Sequence, residues 1–432
     1  MRFSRKLVGV AAAATLLAAL PTGAAQADTN TTSPTALAAI GSDTADDVYE
    51  ALSTLPSLSG DIANYKSVPI GRDIDTTANY PGAAGRPATA DCLTSGPRGS
   101  TEGKNGLRAS MQGEAYVPLD PVAPVNPGST DYSGCVAVAR SSSSSFPSGT
   151  AAGSMARIPF AVDALAPAVL KNSTLPKKLT FTFLKDLFTR NGQAGSLACF
   201  NAAPLVPSFS AGTRAFWASS LGITDYDFSG TGGTVANPPT GVQTWGSCVT
   251  GGAANPLGVG TAAGNGQPGD RKGGPTGAPI QEHQGAFLDA ANQILPYSAA
   301  QWMVQGSGVV GDIRGGSVLA SVDFTATSNT VVDANVRHPY SMNGQGAVSV
   351  GFRGTTGNLT RQLFTFLPRT LVDPAFAPPA QQTQFRTVPA ADVTRFQQAF
   401  VGSTSDVCSA GSTILLYGLA TDAACGTPTF GP

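Results

Sequence analysis

The sequence predicts an α/β protein with at least two sheets. Apolar, strand-like runs alternate with amphipathic helical runs along most of the chain, and Gly, Pro and Ser-rich turns separate them. The composition also allows a large core: of 432 residues, 41% are hydrophobic and 12% charged, where about 25% charged is usual. Lys and Arg number 26 against 27 Asp and Glu, a net charge of -1, and no basic patch stands out. Phosphate-backbone affinity needs clustered cations, so no nucleic-acid partner is expected.

The first residues place Arg2, Arg5 and Lys6 before an apolar run from Leu7 to Leu20, then small residues ending at Ala27. This is the pattern of a secretory signal peptide over 1–27, with cleavage before Asp28. The run is shorter than the roughly 20 residues that span a bilayer, and no later stretch is long enough. The expected mature chain is therefore secreted, with 23 basic against 27 acidic residues and a net charge of -4. That charge steers no anion inward, so an anion site has to be local. The six cysteines, Cys92, Cys135, Cys199, Cys248, Cys408 and Cys425, read as three disulfides in an exported chain. Sequential pairing closes a modest loop within each segment. No CxxC occurs and no Cys stands at ligand spacing from a His, so neither a metal nor a cofactor is expected; no cysteine follows the signal to carry a lipid.

Element by element, LAAIG reads as a strand ending at Ile40 with a turn at Gly41. A helix follows, with Val48, Ala51, Leu52 and Leu55 on one face, capped by Ser42 or Thr44 and with Asp46 and Asp47 in its first turn. Residues 68–106 are punctuated by Gly and Pro. GCVAVARSSSSSF is a strand running into a serine loop, and ARIPFAVDALAPAVL a strongly apolar strand. LPKKLTFTFLKDLF is a helix capped by Thr180 with Leu184, Leu187 and Phe188 inward. APLVPSFSAGTRAFWASSLGI gives strand, loop and a helix from about Thr213. Residues 229–279 read as a long Gly-rich surface loop. QEHQGAFLDAANQILPYSAAQWMVQ suggests two helical stretches around an apolar link at Ile294 to Tyr297. Val348, Val350 and Phe352 alternate as in a strand, LFTFLPRTL follows the same rule, and ADVTRFQQAF starts a terminal helix.

Ser, Thr and Gly-rich turns precede helices at Ser42 to Thr44 and at Ser210 to Thr213, with further serines at Gly99-Ser100 and after Arg140. Free N–H groups at a helix start, with hydroxyls around them, form an oxyanion cradle. On AIGSDTADDVYEAL, RGSTEGKNGL, VARSSSSS, IPFAVDAL, LTFTFLKDLF, PSFSAGTRAFW, QEHQG and ILPYSAAQW, the chain resembles the phosphate-binding proteins of phosphate-specific ABC transporters, in their actinobacterial secreted branch. The resemblance spans about residues 38–425. It implies a type II periplasmic-binding-protein fold, two lobes joined by two hinge crossover strands at IPFAVDAL and ILPYSAA. Lobe 1 would comprise 36–160 and 298–432, and lobe 2 residues 161–297.

The same resemblance makes Ser42, Asp43 and Thr44 the first anion loop, Ser100 the second and Ser141 with Ser142 the third, and matches Gly212 and Thr213 to the helix-capping end of the GSGT motif. Three positions depart from it: Ala211 replaces the motif serine, with Ser210 one place earlier; Pro207 stands near the arginine position; and Ser142 takes that of an acidic residue. Asp43 is then the expected acceptor for the proton of phosphate, and Arg140 or Arg214 the cation, because burying an anion without one is costly. The implied function is non-enzymatic capture of a small oxyanion, phosphate first, by a monomer serving an ABC permease. The alternative is a secreted surface or matrix protein that keeps the fold without the ligand. A hydrolase is disfavoured: Glu282-His283 shows no partner in the sequence, and no G-x-S-x-G elbow occurs. His283 and His338 are expected in structural or surface roles, and Trp217 and Trp302 in packing rather than a sugar site.

Overall fold

A computed structural model describes residues 37–59, 62–65, 73–74, 94–95, 99–116, 132–189, 202–207, 211–223, 280–341 and 346–431. The expected signal peptide 1–27, the Gly-rich stretch 229–279, Ser210, Trp245, Cys92, Cys199 and Cys248 lie outside them. In chain order the elements are β1 (Leu37–Gly41), α1 (Asp46–Leu52), β2 (Ile62–Asn64), β3 (Asp73–Ile74), β4 (Thr94–Ser95), α2 (Gly99–Gln112), β5 (Val136–Ser141), β6 (Met155–Leu170), β7 (Lys178–Thr180) and α3 (Phe181–Thr189). They continue with β8 (Ala203–Pro204), α4 (Gly212–Leu221), β9 (Gln293–Ser298), α5 (Ala299–Ser307), β10 (Ser317–Leu319), β11 (Ser321–Asp323), β12 (Val336–Arg337) and β13 (Thr360–Pro368). The chain closes with α6 (Ala390–Phe400), α7 (Asp406–Ser409), α8 (Gly411–Leu416), β14 (Ala420–Thr421) and β15 (Thr429–Phe430). The class is mixed α/β. No helix among the described residues is long and apolar enough to cross a membrane.

The main sheet runs β2-β1-β5-β13-β6-β9-β8, with β10, β14 and β15 also on β6. Its β1, β2 and β5 pair in parallel, β13 runs against them, and β6, antiparallel to β13, returns to their direction. The sixteen-residue β6 is buried along nearly its whole length, as its apolar run requires. Its partner changes midway. Ala164 still faces Thr360 of β13, and Leu165 already faces Ser298 of β9. One strand therefore joins two sets of strands, and the described part of the site lies beside that change of partner.

Several local expectations hold for physical reasons. Thr180 Oγ1 accepts from the Phe183 amide at 2.9 Å, the side-chain cap expected for α3, and Leu184, Leu187 and Phe188 are buried. Trp217 is fully buried against Phe188, and Trp302 stacks on Tyr340. Cys408 is bonded to Cys425, with Cα atoms 5.7 Å apart, and Cys135 is also disulfide-bonded.

Others are corrected. Neither Ser42 nor Thr44 caps α1. A 3-10 turn, Asp43–Ala45, precedes that helix, its first hydrogen bond coming from Asp43 Oδ1 accepting the Thr44 amide at 2.9 Å, and both hydroxyls point elsewhere. The stretch 68–106 ends in the fourteen-residue α2, which its glycines obscure. Those glycines are there for packing: a Cβ on Gly103 would collide with the Gly41 backbone, and Gly41 itself has φ +121°. Residues 280–292 hold no α-helix, only a 3-10 turn at Gly285–Phe287, and the Val348, Val350, Phe352 alternation is no strand. Val350 is 53% exposed, and Val348 makes only an isolated bridge to Tyr340.

Candidate anion-binding site

Four separate pieces of chain meet at the start of α4. The turn after β1 supplies Ser42, Asp43 and Thr44; the first turn of α2 supplies Ser100; the end of β5 supplies Ser142; and α4 begins with Gly212 and Thr213. Ser42, Thr44, Ser100, Ser142 and Thr213 are buried. Ser142 Oγ lies 3.1 Å from Ser100 Oγ and accepts from Ser42 Oγ at 3.3 Å, while Ser100 Oγ accepts from the Ser142 amide at 2.9 Å. A side chain at Gly212 would collide with both Ser142 Oγ and Ser100 Oγ, so the absence of a Cβ is what lets the helix start approach this hydroxyl cluster.

A carboxylate of the protein's own fills the centre. Glu282 Oε1 accepts from the Thr213 amide at 2.9 Å, and its Oε2 accepts from Thr213 Oγ1 and from Thr44 Oγ1, each at 2.9 Å. His283 Nε2 stands 3.1 Å from the same Oε2 and 2.9 Å from Thr44 Oγ1. The Ser298 amide donates to His283 Nδ1 at 3.3 Å, which places the proton of the neutral ring on Nε2, facing Glu282 and Thr44. The segment is pinned on both sides of these residues. Ile280 and Leu288 are buried in a small cluster with Ala168, Leu205, Leu295 and Tyr297, and burying a side chain of that size contributes about 1.5–3 kcal/mol. The His283 carbonyl accepts from Gln305 Nε2 at 3.0 Å and from the Tyr297 hydroxyl, and holds a backbone with φ +57°. A helix does not form here because its side chains are drawn into the cradle.

The electrostatics follow from this crowding. Burial, and then the Glu282 charge, raise the Asp43 carboxyl well above its ordinary value of 3.8. Burial acts in the same direction on Glu282, but hydrogen bonds from His283 and Asp43 outweigh it and hold that carboxyl well below the usual range. The two carboxyls are thus pushed in opposite directions, Asp43 toward holding its proton and Glu282 toward losing it. Asp43, Glu282 and His283 also present ligand atoms within 4.8 Å of one another, the donor set of a divalent cation. Hydrogen bonds among themselves and to Thr44 already engage these atoms.

The cation of the site is one that sequence reasoning missed. Arg361 on β13 lies directly opposite Asp163 on β6, and its Nε and Nη2 donate to Asp163 Oδ2 at 3.1 and 2.9 Å. Nη2 also donates to Thr44 Oγ1 at 2.9 Å. Asp163 Oδ1 in turn accepts from Ser298 Oγ at 2.8 Å, tying the pair to the end of β9. Of the two expected cations, Arg140 turns into the sheet. Arg140 pairs with Asp46, donates to the Ala39 carbonyl at 3.0 Å and the Tyr65 carbonyl at 2.8 Å, and also reaches Asn64. Arg214 is fully buried on α4, 3.5 Å from the Pro207 carbonyl. Ser141 Oγ accepts from the Ser143 amide at 3.1 Å, shaping the serine loop rather than the cradle. Opposite charges embedded in two apolar strands, Asp163 in IPFAVDAL and Arg361 before LFTFL, were the signal available for this pair.

No protein-family model and no curated protein matches the sequence. Solved structures similar to the chain include an ABC-type phosphate transport receptor from Vibrio cholerae (12% identity, 89% of this chain and 100% of that one, TM-score 0.39). PstS from Borrelia burgdorferi matches at 10% identity over 90% of this chain and 98% of its own, TM-score 0.33. A human phosphate-binding apolipoprotein matches at 12% identity over 89% and 90%, TM-score 0.42. At these values the likeness assigns no role to any residue.

Proposed function

We propose that this chain is a secreted, non-enzymatic binding protein for a small oxyanion, phosphate first, seated at the start of α4 and delivered to an ABC permease. The observation that carries the reading is the donor set on Glu282: a helix-start amide and two threonine hydroxyls converge on one carboxylate, with the Arg361 guanidinium one bond behind. Such a set suits an anion because the N–H groups and the helix dipole favour negative charge and the hydroxyls adapt to it. Three more hydroxyls, on Ser42, Ser100 and Ser142, stand beside it. The change of strand partner within β6 suits two lobes closing on the ligand as hinged binding proteins do; β10 and β11 pair with the second half of β6 and with β7, so residues 317–323 go with the 161–297 segment rather than with 36–160.

His283 is not set up as the base of a hydrolase: with its Nδ1 accepting a backbone N–H, the Nε2 proton already points at Thr44, and the Thr44 hydroxyl donates to Glu282. One observation favours a second reading. Glu282 already occupies the Thr213 and Thr44 donors, which suits a surface protein that has kept the fold and lost the ligand.

Calorimetric titration of the mature chain, freed of ligand and with its disulfides intact, decides between them. The anion receptor binds phosphate with about -8 kcal/mol or better, micromolar or tighter, and Thr213→Val abolishes the heat. A chain silent toward phosphate and sulfate at millimolar concentration is the second protein.

A further inference from the structure

Glu282 holds the ligand position on unequal terms. Its two oxygens engage Thr213 and Thr44, whereas the Ser42, Ser100 and Ser142 hydroxyls bond one another and not the carboxylate. Nη1 of Arg361, in a side chain only 1% exposed, has no hydrogen-bond partner among the described residues. A planar carboxylate with one charge therefore leaves donors of the cradle unused, and a tetrahedral oxyanion brings more oxygens and more charge to them. The two cannot share the site. Both would draw on the same Thr213 and Thr44 donors, and two anions on one set of buried donors repel strongly at low dielectric. The anchors at Ile280 and Leu288 fix the backbone on either side of Glu282, so displacing its side chain does not require the segment to come loose.

We propose that Glu282 is an internal competitor: its carboxylate occupies the oxyanion position in the unliganded protein, and phosphate binds by displacing it. This rests on the anion-receptor reading and adds to it a residue that sets the affinity. The site then never stands as an empty, desolvated cavity, and its threshold for ligand is set by how well phosphate outcompetes a tethered carboxylate.

The test is calorimetric titration of inorganic phosphate into the full mature chain, Glu282→Ala and Glu282→Gln, with thermal melts of each in formate. Removing the competitor tightens phosphate binding by about tenfold or more in Glu282→Ala, with the isosteric Glu282→Gln between it and the unaltered chain. Formate, a free carboxylate small enough for the vacated position, raises the melting temperature of Glu282→Ala and leaves the unaltered chain unmoved. If the unaltered chain binds phosphate and both variants bind it equally or more weakly, Glu282 is a supporting acceptor; the competitor is overturned and the receptor reading stands. If neither the unaltered chain nor either variant binds phosphate at millimolar concentration, the receptor reading falls and the competitor with it. Glu282→Gln keeps the shape and hydrogen-bonding capacity of the side chain, so it reports even if Glu282→Ala does not fold.

Discussion

Two buried arginines, each paired with an aspartate, lie on the main sheet and do different work. Around Arg140, at the end of β5, the guanidinium meets Asp46, Asn64 and the carbonyls of Ala39 and Tyr65, and so locks β1, β2 and the start of α1 together. Around Arg361, on β13, the guanidinium meets Asp163 and the Thr44 hydroxyl and keeps one nitrogen unspent. The first surrounds its charge with the fixed backbone of a folded sheet. The second joins a strand pair to the loop whose Thr44 hydroxyl donates to the Glu282 carboxylate. Burial and an acidic partner are therefore common to both and decide nothing; what separates a structural arginine from a ligand-side one is whether its fork is exhausted by backbone.

The largest way to strain the comparison is to remove the aspartates. Asp163→Ala and Asp46→Ala should each destabilise the fold by about 3–5 kcal/mol in urea denaturation, since a buried cation left without its partner is costly. Equal losses would fit the shared burial; only Asp163→Ala should also weaken phosphate binding. A finer separation comes from Arg361→Lys and Arg140→Lys, which keep the charge and lose the planar fork. We expect phosphate affinity to fall about tenfold in the first and to stay within about twofold in the second, read by calorimetry. An equal fall in both would erase the distinction.

The smallest effect concerns the acid pair beside Arg361. Asp43 has its folded value raised above 3.8, so its contribution is complete below that pH and is lost as pH rises through the raised value. Glu282, held low, contributes in full above the ordinary glutamate value of 4.5 and loses that contribution progressively as pH falls below it. From pH 4.5 upward the melting temperature of the unliganded chain should therefore decline through the Asp43 term, and Asp43→Asn should flatten that decline. A decline equally steep in Asp43→Asn would place its source elsewhere.

Much of the scaffold was legible because its signals are local. The Thr180 cap, the sixteen-residue apolar β6 and the Gly212 start of α4 each declare themselves within a few residues. The hydroxyl side of the cradle was legible for the same reason, since Ser42, Thr44, Ser100, Ser142 and Thr213 sit in short Ser, Thr and Gly-rich turns. The charged side was not. Glu282 reaches Thr44 across 238 residues of chain and Arg361 reaches it across 317, so neither contact leaves a trace in the spacing. The helix α2 was hidden for the opposite reason: its glycines lower helix propensity and are kept for close packing against Gly41. Arg140 misled because an arginine ahead of a serine run looks the same whether its fork turns toward a ligand or toward the sheet.

The central claim is that an oxyanion belongs where Glu282 now lies. Crystals of the mature protein soaked in arsenate, a phosphate analogue visible by anomalous scattering, would show it directly. The account predicts one anomalous peak within hydrogen-bonding reach of the Thr213 amide and Thr44 Oγ1, with the Glu282 carboxylate turned away. A cradle still closed on Glu282 with no peak beside α4 would contradict it.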